Sequence, residues 1–88
     1  MKNLVTISIE ELCQQFDVPR DVVIHFVQEE WISPLDQEEL KFDEEDLARI
    51  SLIRELQESF GVNDEAVPII LNLVDQLHYL RTLVKNGR

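Results

Sequence analysis

Apolar residues recur at helical spacing in four segments of this 88-residue chain. The first segment opens with Ser8 and Glu11, whose spacing is that of a capping box, in which each residue bonds the backbone of the other. A short first helix is therefore predicted from about Ile9 to Gln15.

A second helix follows after a very short link. Asp17 is predicted to be its N-cap and Pro19 to occupy its first position, and the helix should end near Glu30. Two short amphipathic helices joined by the tripeptide 16–18 predict a helix-turn-helix.

The helical period is lost over residues 31–42, where Pro34 interrupts the backbone, and this segment predicts a small wing or hairpin. Asp43 is then expected to cap a third helix that ends at Phe60, with Gly61 in the left-handed position beyond it. The apolar face of this helix is expected to be buried; it comprises Leu47, Ile50, Ile53, Leu56 and Phe60.

The last helix is predicted to be capped by Asn63 and to run to about Lys85. Pro68 allows two alternatives, a kink or a later start of the regular helix. Two apolar stripes need two surfaces to cover them, so the first should close the core and the second should form a dimer seam. A single broad buried face in a monomer is the alternative. The first stripe is Val67, Ile70, Leu71 and Val74, and the second is Leu73, Leu77, Leu80 and Val84.

These elements fit one all-α domain over residues 1–88, a winged helix-turn-helix with a long carboxyl-terminal dimerisation helix. The helix-turn-helix and wing are assigned to 8–42, the third helix to 43–60 and the last helix to 63–86. No targeting or membrane-spanning segment is apparent, and the single Cys13 excludes an internal disulfide, so a cytoplasmic protein is expected.

The charge is strongly negative, with 18 acidic and 8 basic residues and a net charge of −10. Residues 1–60 hold 15 of the acidic and 5 of the basic residues, so they carry the whole excess. Because a surface of this sign repels phosphate and attracts basic protein, DNA is a disfavoured partner.

Catalytic and metal-binding constellations are not apparent, and neither an enzyme activity nor a cofactor is expected. His25 and His78 are far apart in sequence, and a lone imidazole does not make a zinc site. For His25 a helix-surface or core-edge position is favoured, and Cys13 is interpreted as a small core side chain.

Several short runs together resemble the MerR helix-turn-helix family over nearly the whole chain, and within it the CbpM group of chaperone modulators. The resemblance implies a small homodimer that binds the J-domain of a CbpA-type DnaJ homologue and blocks its access to DnaK. The runs are Val5-Thr6-Ile7-Ser8-Ile9-Glu10-Glu11-Leu12-Cys13, Val18-Pro19-Arg20-Asp21, Trp31-Ile32-Ser33-Pro34 and Phe42-Asp43-Glu44-Glu45-Asp46-Leu47.

The chain departs from the DNA-binding branch of that family where phosphate would be contacted. Ile24 stands where that branch carries an arginine, and Glu39-Leu40-Lys41-Phe42 replaces a Gly-Tyr-Arg-like stretch of the wing. Arg20 is the only basic group of the predicted second helix, which is the DNA-recognition helix of that branch. A MerR-like transcriptional regulator that binds DNA, and an effector of some other basic protein, remain the alternatives.

Acidic side chains and one tryptophan are the candidates for the partner surface, because J-domains typically present a basic second helix. Trp31 is expected either to pack in the core, which is favoured, or to anchor the partner. The alternative for the carboxylates is a solvated face that keeps the protein soluble. The candidate set is Glu29, Glu30, Trp31, Glu44, Glu45 and Asp46.

Overall fold

The structure is a computed structural model that describes residues 5–34, 36 and 38–86. The amino-terminal segment 1–4, in which no targeting signal is expected, wing positions 35 and 37, and residues 87–88 of the predicted domain lie outside the described residues. Over the described residues the chain is mostly helical with one small two-stranded sheet, which confirms the predicted fold class. The elements are β1 (Ile7–Ser8), α1 (Ile9–Phe16), α2 (Arg20–Gln28), β2 (Lys41–Phe42), α3 (Glu44–Phe60) and α4 (Val67–Asn86).

Helix α1 begins at the predicted capping box. The Ser8 hydroxyl accepts from the Glu11 N–H at 3.2 Å, and the Glu11 carboxylate accepts from the Ser8 N–H at 3.1 Å. The prediction for Asp17 was wrong, because this residue ends α1 in the left-handed conformation (φ 52°) and does not cap α2. An aspartate tolerates that conformation, and the extended Pro19 precedes α2 without a side-chain cap.

Residues 41–42 pair antiparallel with residues 7–8, which precede α1, whereas within the predicted wing segment Asp36 and Lys41 form an isolated antiparallel bridge. Ile7 lies opposite Phe42 in the two-stranded sheet, and the Phe42 ring is fully buried beneath it. The Asp36 carboxylate accepts from the backbone N–H groups of Glu38 and Glu39, each at 2.9 Å, and so closes the turn before β2. The wing therefore lies against the amino-terminal end of α1.

Helix α3 is bounded as its sequence predicts. The Asp43 carboxylate accepts from the Asp46 N–H at 3.0 Å at one end, and Gly61 takes the left-handed conformation (φ 67°) at the other. Ile50 and Ile53 are completely buried, whereas Phe60 is 71% exposed, so the expectation that Phe60 is buried was wrong. Phe60 is the last residue of the helix and lies beyond the core.

Helix α4 begins at Val67, which confirms the later start of the regular helix as one of the two alternatives at Pro68. The Asn63 side chain accepts from the Ala66 N–H at 3.0 Å, which closes a turn ahead of the helix. Pro68 is the second helical residue, where no intrahelical donor is needed. Val67 and Leu71 are buried, so the first stripe closes the core as predicted.

One core joins the helix-turn-helix, the wing and the start of α4. No helix of the described part of the chain is both long enough and apolar enough to cross a membrane. The buried apolar side chains are Ile9, Leu12, Val18, Val23, Phe26, Trp31, Ile32, Phe42, Ile50, Ile53, Val67 and Leu71.

Replacement of Leu71 by alanine should lower the free energy of unfolding by about 2 to 3 kcal/mol, because a buried side chain is lost where α4 meets the core. Asn72→Ala changes the exposed neighbour and should stay within about 0.5 kcal/mol of the original protein. Urea denaturation followed by circular dichroism measures both. Equal effects of the two substitutions would contradict this packing of α4.

Candidate functional site

Arg49 on α3 joins three parts of the molecule. Its Nε donates to the Trp31 carbonyl at 2.8 Å, which ties α3 to the loop after α2. Its two terminal nitrogens donate to the Asp75 carboxylate on α4 at 2.8 and 3.3 Å. These hydrogen bonds hold the pKa of Asp75 below its usual value, and the positive charge of Arg49 adds to the effect. The guanidinium group thus fixes α4 beside α3.

An open groove lies between these two helices, and we call it the α3–α4 groove. It has a volume of about 570 Å³, and the Arg49–Asp75 pair lies within it. Leu52 and Val74, both half-buried, line it from opposite sides. The residues that line it are Glu44, Glu45, Ala48, Arg49 and Leu52 of α3, and Val74, Asp75 and His78 of α4.

Glu44 and Glu45 form the acidic end of the groove. Both side chains are exposed in the first turn of α3, where the positive end of the helix dipole stabilises carboxylates. Arg49 and Asp75 neutralise each other, and the exposed Glu44 gives this end of the groove a negative charge. The structure therefore places two of the candidate partner residues together on an accessible surface.

Trp31 is a core residue. Only 4% of it is exposed, and its ring centroid lies 5.4 Å from each of the His25 and Phe26 rings. This confirms core packing, the favoured of the two interpretations, and excludes its ring as an exposed anchor in this conformation. Its carbonyl is the acceptor for Arg49, so Trp31 supports the groove from behind.

Glu29 and Glu30 are exposed immediately before Trp31, in the turn that ends α2. Glu30 has a φ of 62°, a conformation that is costly for a residue with a side chain. The backbone carbonyl of the next residue, Trp31, accepts a hydrogen bond from Arg49. This acidic turn is therefore connected to the groove through the backbone of Trp31.

Asp46, like Trp31, is a candidate that the structure removes from the accessible surface. It is only 6% exposed, and its carboxylate accepts from the Asp43 N–H at 3.1 Å, completing the capping box of α3. Burial, together with the nearby Asp43 carboxylate, raises the pKa of Asp46 to about 6, and N–H groups of Asp43 and Ser33 oppose the rise. Its role is to hold the wing, the preceding loop and α3 together.

The proposed dimer-seam residues form an exposed stripe on α4. Leu73, Leu77, Leu80 and Val84 are 58%, 48%, 55% and 70% exposed. Apolar side chains exposed in such a row are typical of a surface that another helix covers. His78 follows Leu77 and is turned by about 100° from it, so the groove and the stripe occupy different faces of α4.

The arginines of the helix-turn-helix and α3 each contact a carboxylate. Arg20 pairs with Glu10 at 2.9 Å, and Arg54 pairs with Glu58 at 3.0 Å. Arg49 pairs with Asp75, as described above. Such pairs are weak where they are exposed, but they neutralise the positive charge that a phosphate backbone would need.

Sequence reasoning missed the contact between His25 and Asp64. Their side chains lie 2.8 Å apart and join α2 to the turn before α4. A hydrogen bond from Gln57, followed by the contact with His25, lowers the pKa of Asp64. No pattern in the sequence indicates that two residues 39 positions apart are in contact. The core-edge position expected for His25 is confirmed.

The remaining candidates for a chemical role are the thiol of Cys13 and clusters of metal-ligating side chains. Cys13 packs half-buried against the core as predicted, and burial raises the pKa of its thiol. Within the described residues, no group of three or more His, Cys, Asp or Glu side chains could hold a metal ion.

Comparison with protein-family models shows a likeness to a known family. A family model described as MerR HTH family regulatory protein matches residues 7–86, which include the helix-turn-helix, the wing, α3 and α4. No curated protein and no solved structure matches the chain.

Acidification should stabilise the protein through Asp46. Because the pKa of Asp46 is raised by folding, the folded protein binds this proton more tightly than the unfolded chain does. The resulting stabilisation is complete below the unfolded value of 3.8 and is lost as the pH rises through about 6. Between pH 7 and pH 5 the gain should be on the order of 1 kcal/mol.

Asp46→Asn lacks the titrating group and should lose this part of the pH dependence, while any general effect of the acidic surface remains. Urea denaturation of both proteins at each pH measures the difference. Parallel pH profiles would show that Asp46 does not titrate in this range.

Proposed function

Because the chain belongs to the family of MerR helix-turn-helix regulatory proteins, we propose that it regulates by binding protein and not by catalysis. Its proposed partner is the J-domain of a CbpA-type DnaJ homologue in the cytoplasm. Binding would cover the J-domain surface that DnaK needs and so inhibit the co-chaperone.

The observation that carries this proposal is the charge of residues 1–60, which comprise the helix-turn-helix, the wing and α3. These residues carry the whole net excess of carboxylates of the chain, and the arginines at 20, 49 and 54 each contact a carboxylate. DNA affinity depends mainly on the neutralisation of phosphates. A basic protein surface is a better electrostatic complement to this part of the molecule than a nucleic acid is.

The resemblance to the CbpM group supports the choice of partner. In such a complex, Glu29, Glu30, Glu44 and Glu45 would face the basic second helix of the J-domain. Charges at the rim of an interface mainly govern the association rate and the salt sensitivity. The buried Trp31 and Asp46 would act indirectly, by holding these surfaces in place.

A homodimer is part of the proposal. The stripe of Leu73, Leu77, Leu80 and Val84 would be covered by the same stripe of a second copy, as in a two-fold symmetric interface. This arrangement would leave the acidic face of each copy available to one J-domain.

Calorimetric titration with an isolated CbpA-type J-domain tests the partner. Saturable binding that weakens with ionic strength is expected. Glu44→Lys/Glu45→Lys should weaken binding by about tenfold or more, because it places like charges opposite the basic helix. Glu55→Lys/Glu65→Lys makes the same change of net charge at exposed positions outside the groove and should have a smaller effect.

Absence of heat at low ionic strength would contradict the J-domain proposal. A specific mobility shift of promoter DNA by the original protein would favour the alternative, a DNA-binding transcriptional regulator. Circular dichroism of each variant confirms that it is folded.

Light scattering after gel filtration tests the dimer. The original protein should have twice the chain mass, and Leu77→Glu should have the mass of one chain, because a carboxylate in an apolar seam is costly to bury. Thr82→Glu adds the same charge at an exposed position on the opposite side of α4 and should remain dimeric. A monomeric original protein would refute the seam.

A further inference from the structure

The α3–α4 groove has the features of a helix-binding surface. Its two sides are helices, it is open to solvent, and the half-buried Leu52 and Val74 give it an apolar lining. Ala48 is exposed at its α3 side and leaves room because its side chain is small. A groove of this kind accepts the apolar side chains of an amphipathic helix.

The charge of the groove selects the kind of helix. Glu44 and Glu45 lie at one end of the α3 side, while Arg49 is bonded to both Asp75 and the Trp31 carbonyl. A ligand with acidic groups would meet these glutamates, whereas Lys or Arg side chains would be attracted to them.

The position of the groove on α4 separates it from the proposed dimer seam. Val74, Asp75 and His78 line the groove, and Leu77 belongs to the exposed stripe. Because successive helical residues differ by about 100°, a second copy on the stripe would leave the groove accessible. A partner of another kind is therefore the better occupant of the groove.

We infer that the α3–α4 groove receives one face of a basic amphipathic α-helix of the partner protein, an inference that rests on the proposed function. Apolar side chains of that helix contact Leu52 and Val74. Its Lys or Arg side chains lie beside Glu44 and Glu45. The bonds of Arg49 to Trp31 and Asp75 keep the two sides of the groove at a fixed separation.

Substitution inside and outside the groove tests this inference. Ala48→Trp fills the groove from an exposed position and should weaken binding of the isolated J-domain by about tenfold or more, since a bulky side chain occupies the space of the apolar anchor. Ser51→Trp adds the same ring at another exposed position of α3, one that does not line the groove, and should leave affinity within about twofold.

A second titration separates this inference from the choice of partner. The probes are a synthetic amphipathic helix of Leu and Lys and a matched helix of Leu and Glu. The original protein should bind the Leu and Lys helix, with amide shifts in the NMR spectrum concentrated at Ala48, Leu52 and Val74. Binding should be weakened by Ala48→Trp but not by Ser51→Trp, and the Leu and Glu helix should bind at least about tenfold more weakly.

The outcomes are distinct. A J-domain that binds the original protein and Ala48→Trp equally overturns the groove and leaves the proposed function standing. Binding of the Leu and Lys helix at the groove without any binding of the J-domain supports the groove and overturns the proposed partner. Shifts confined to the Leu77 stripe, or equal affinity for the two synthetic helices, overturn the inference about the groove.

Discussion

The hydrogen bonds of Arg49 connect the loop after α2 with helices α3 and α4. One guanidinium group donates hydrogen bonds to the Trp31 carbonyl after α2 and to the Asp75 carboxylate on α4. The apolar core provides most of the stability, but contacts of α4 with that core are limited to its first turns, around Val67 and Leu71. The pairing with Asp75 extends the attachment of α4 beyond that region and thereby forms the groove.

The same interaction affects the electrostatic surface. An arginine that bonds a backbone carbonyl and a carboxylate is less available to a phosphate, and Arg20 and Arg54 also contact carboxylates. The helix-turn-helix thus keeps the fold of a MerR-type regulator while its charge opposes contact with nucleic acid. This combination is the physical basis for proposing a basic protein as the partner.

The buried carboxyl groups of Asp43 and Asp46 fix the start of α3 and thereby the orientation of the exposed Glu44 and Glu45. Asp43 and Asp46 form the capping box that joins the wing to α3, at the cost of burying acidic groups close together. Glu44 and Glu45, between them in sequence, are turned outward because consecutive helical residues point in different directions. Four neighbouring acidic residues therefore divide into a structural pair and a surface pair.

The sequence by itself determined the order of the helices, the start of α1 and both ends of α3, because the capping boxes at Ser8 and Asp43 and the left-handed Gly61 are local interactions. It also determined the sign of the surface and the family, through resemblance. Only the tertiary structure decided that Asp46 is buried, that His25 meets Asp64, and that a groove forms between α3 and α4. These features depend on contacts between residues that are far apart in sequence, such as Arg49 with Asp75. Helical periodicity indicates which face of a helix is apolar, but it does not indicate which helix that face contacts.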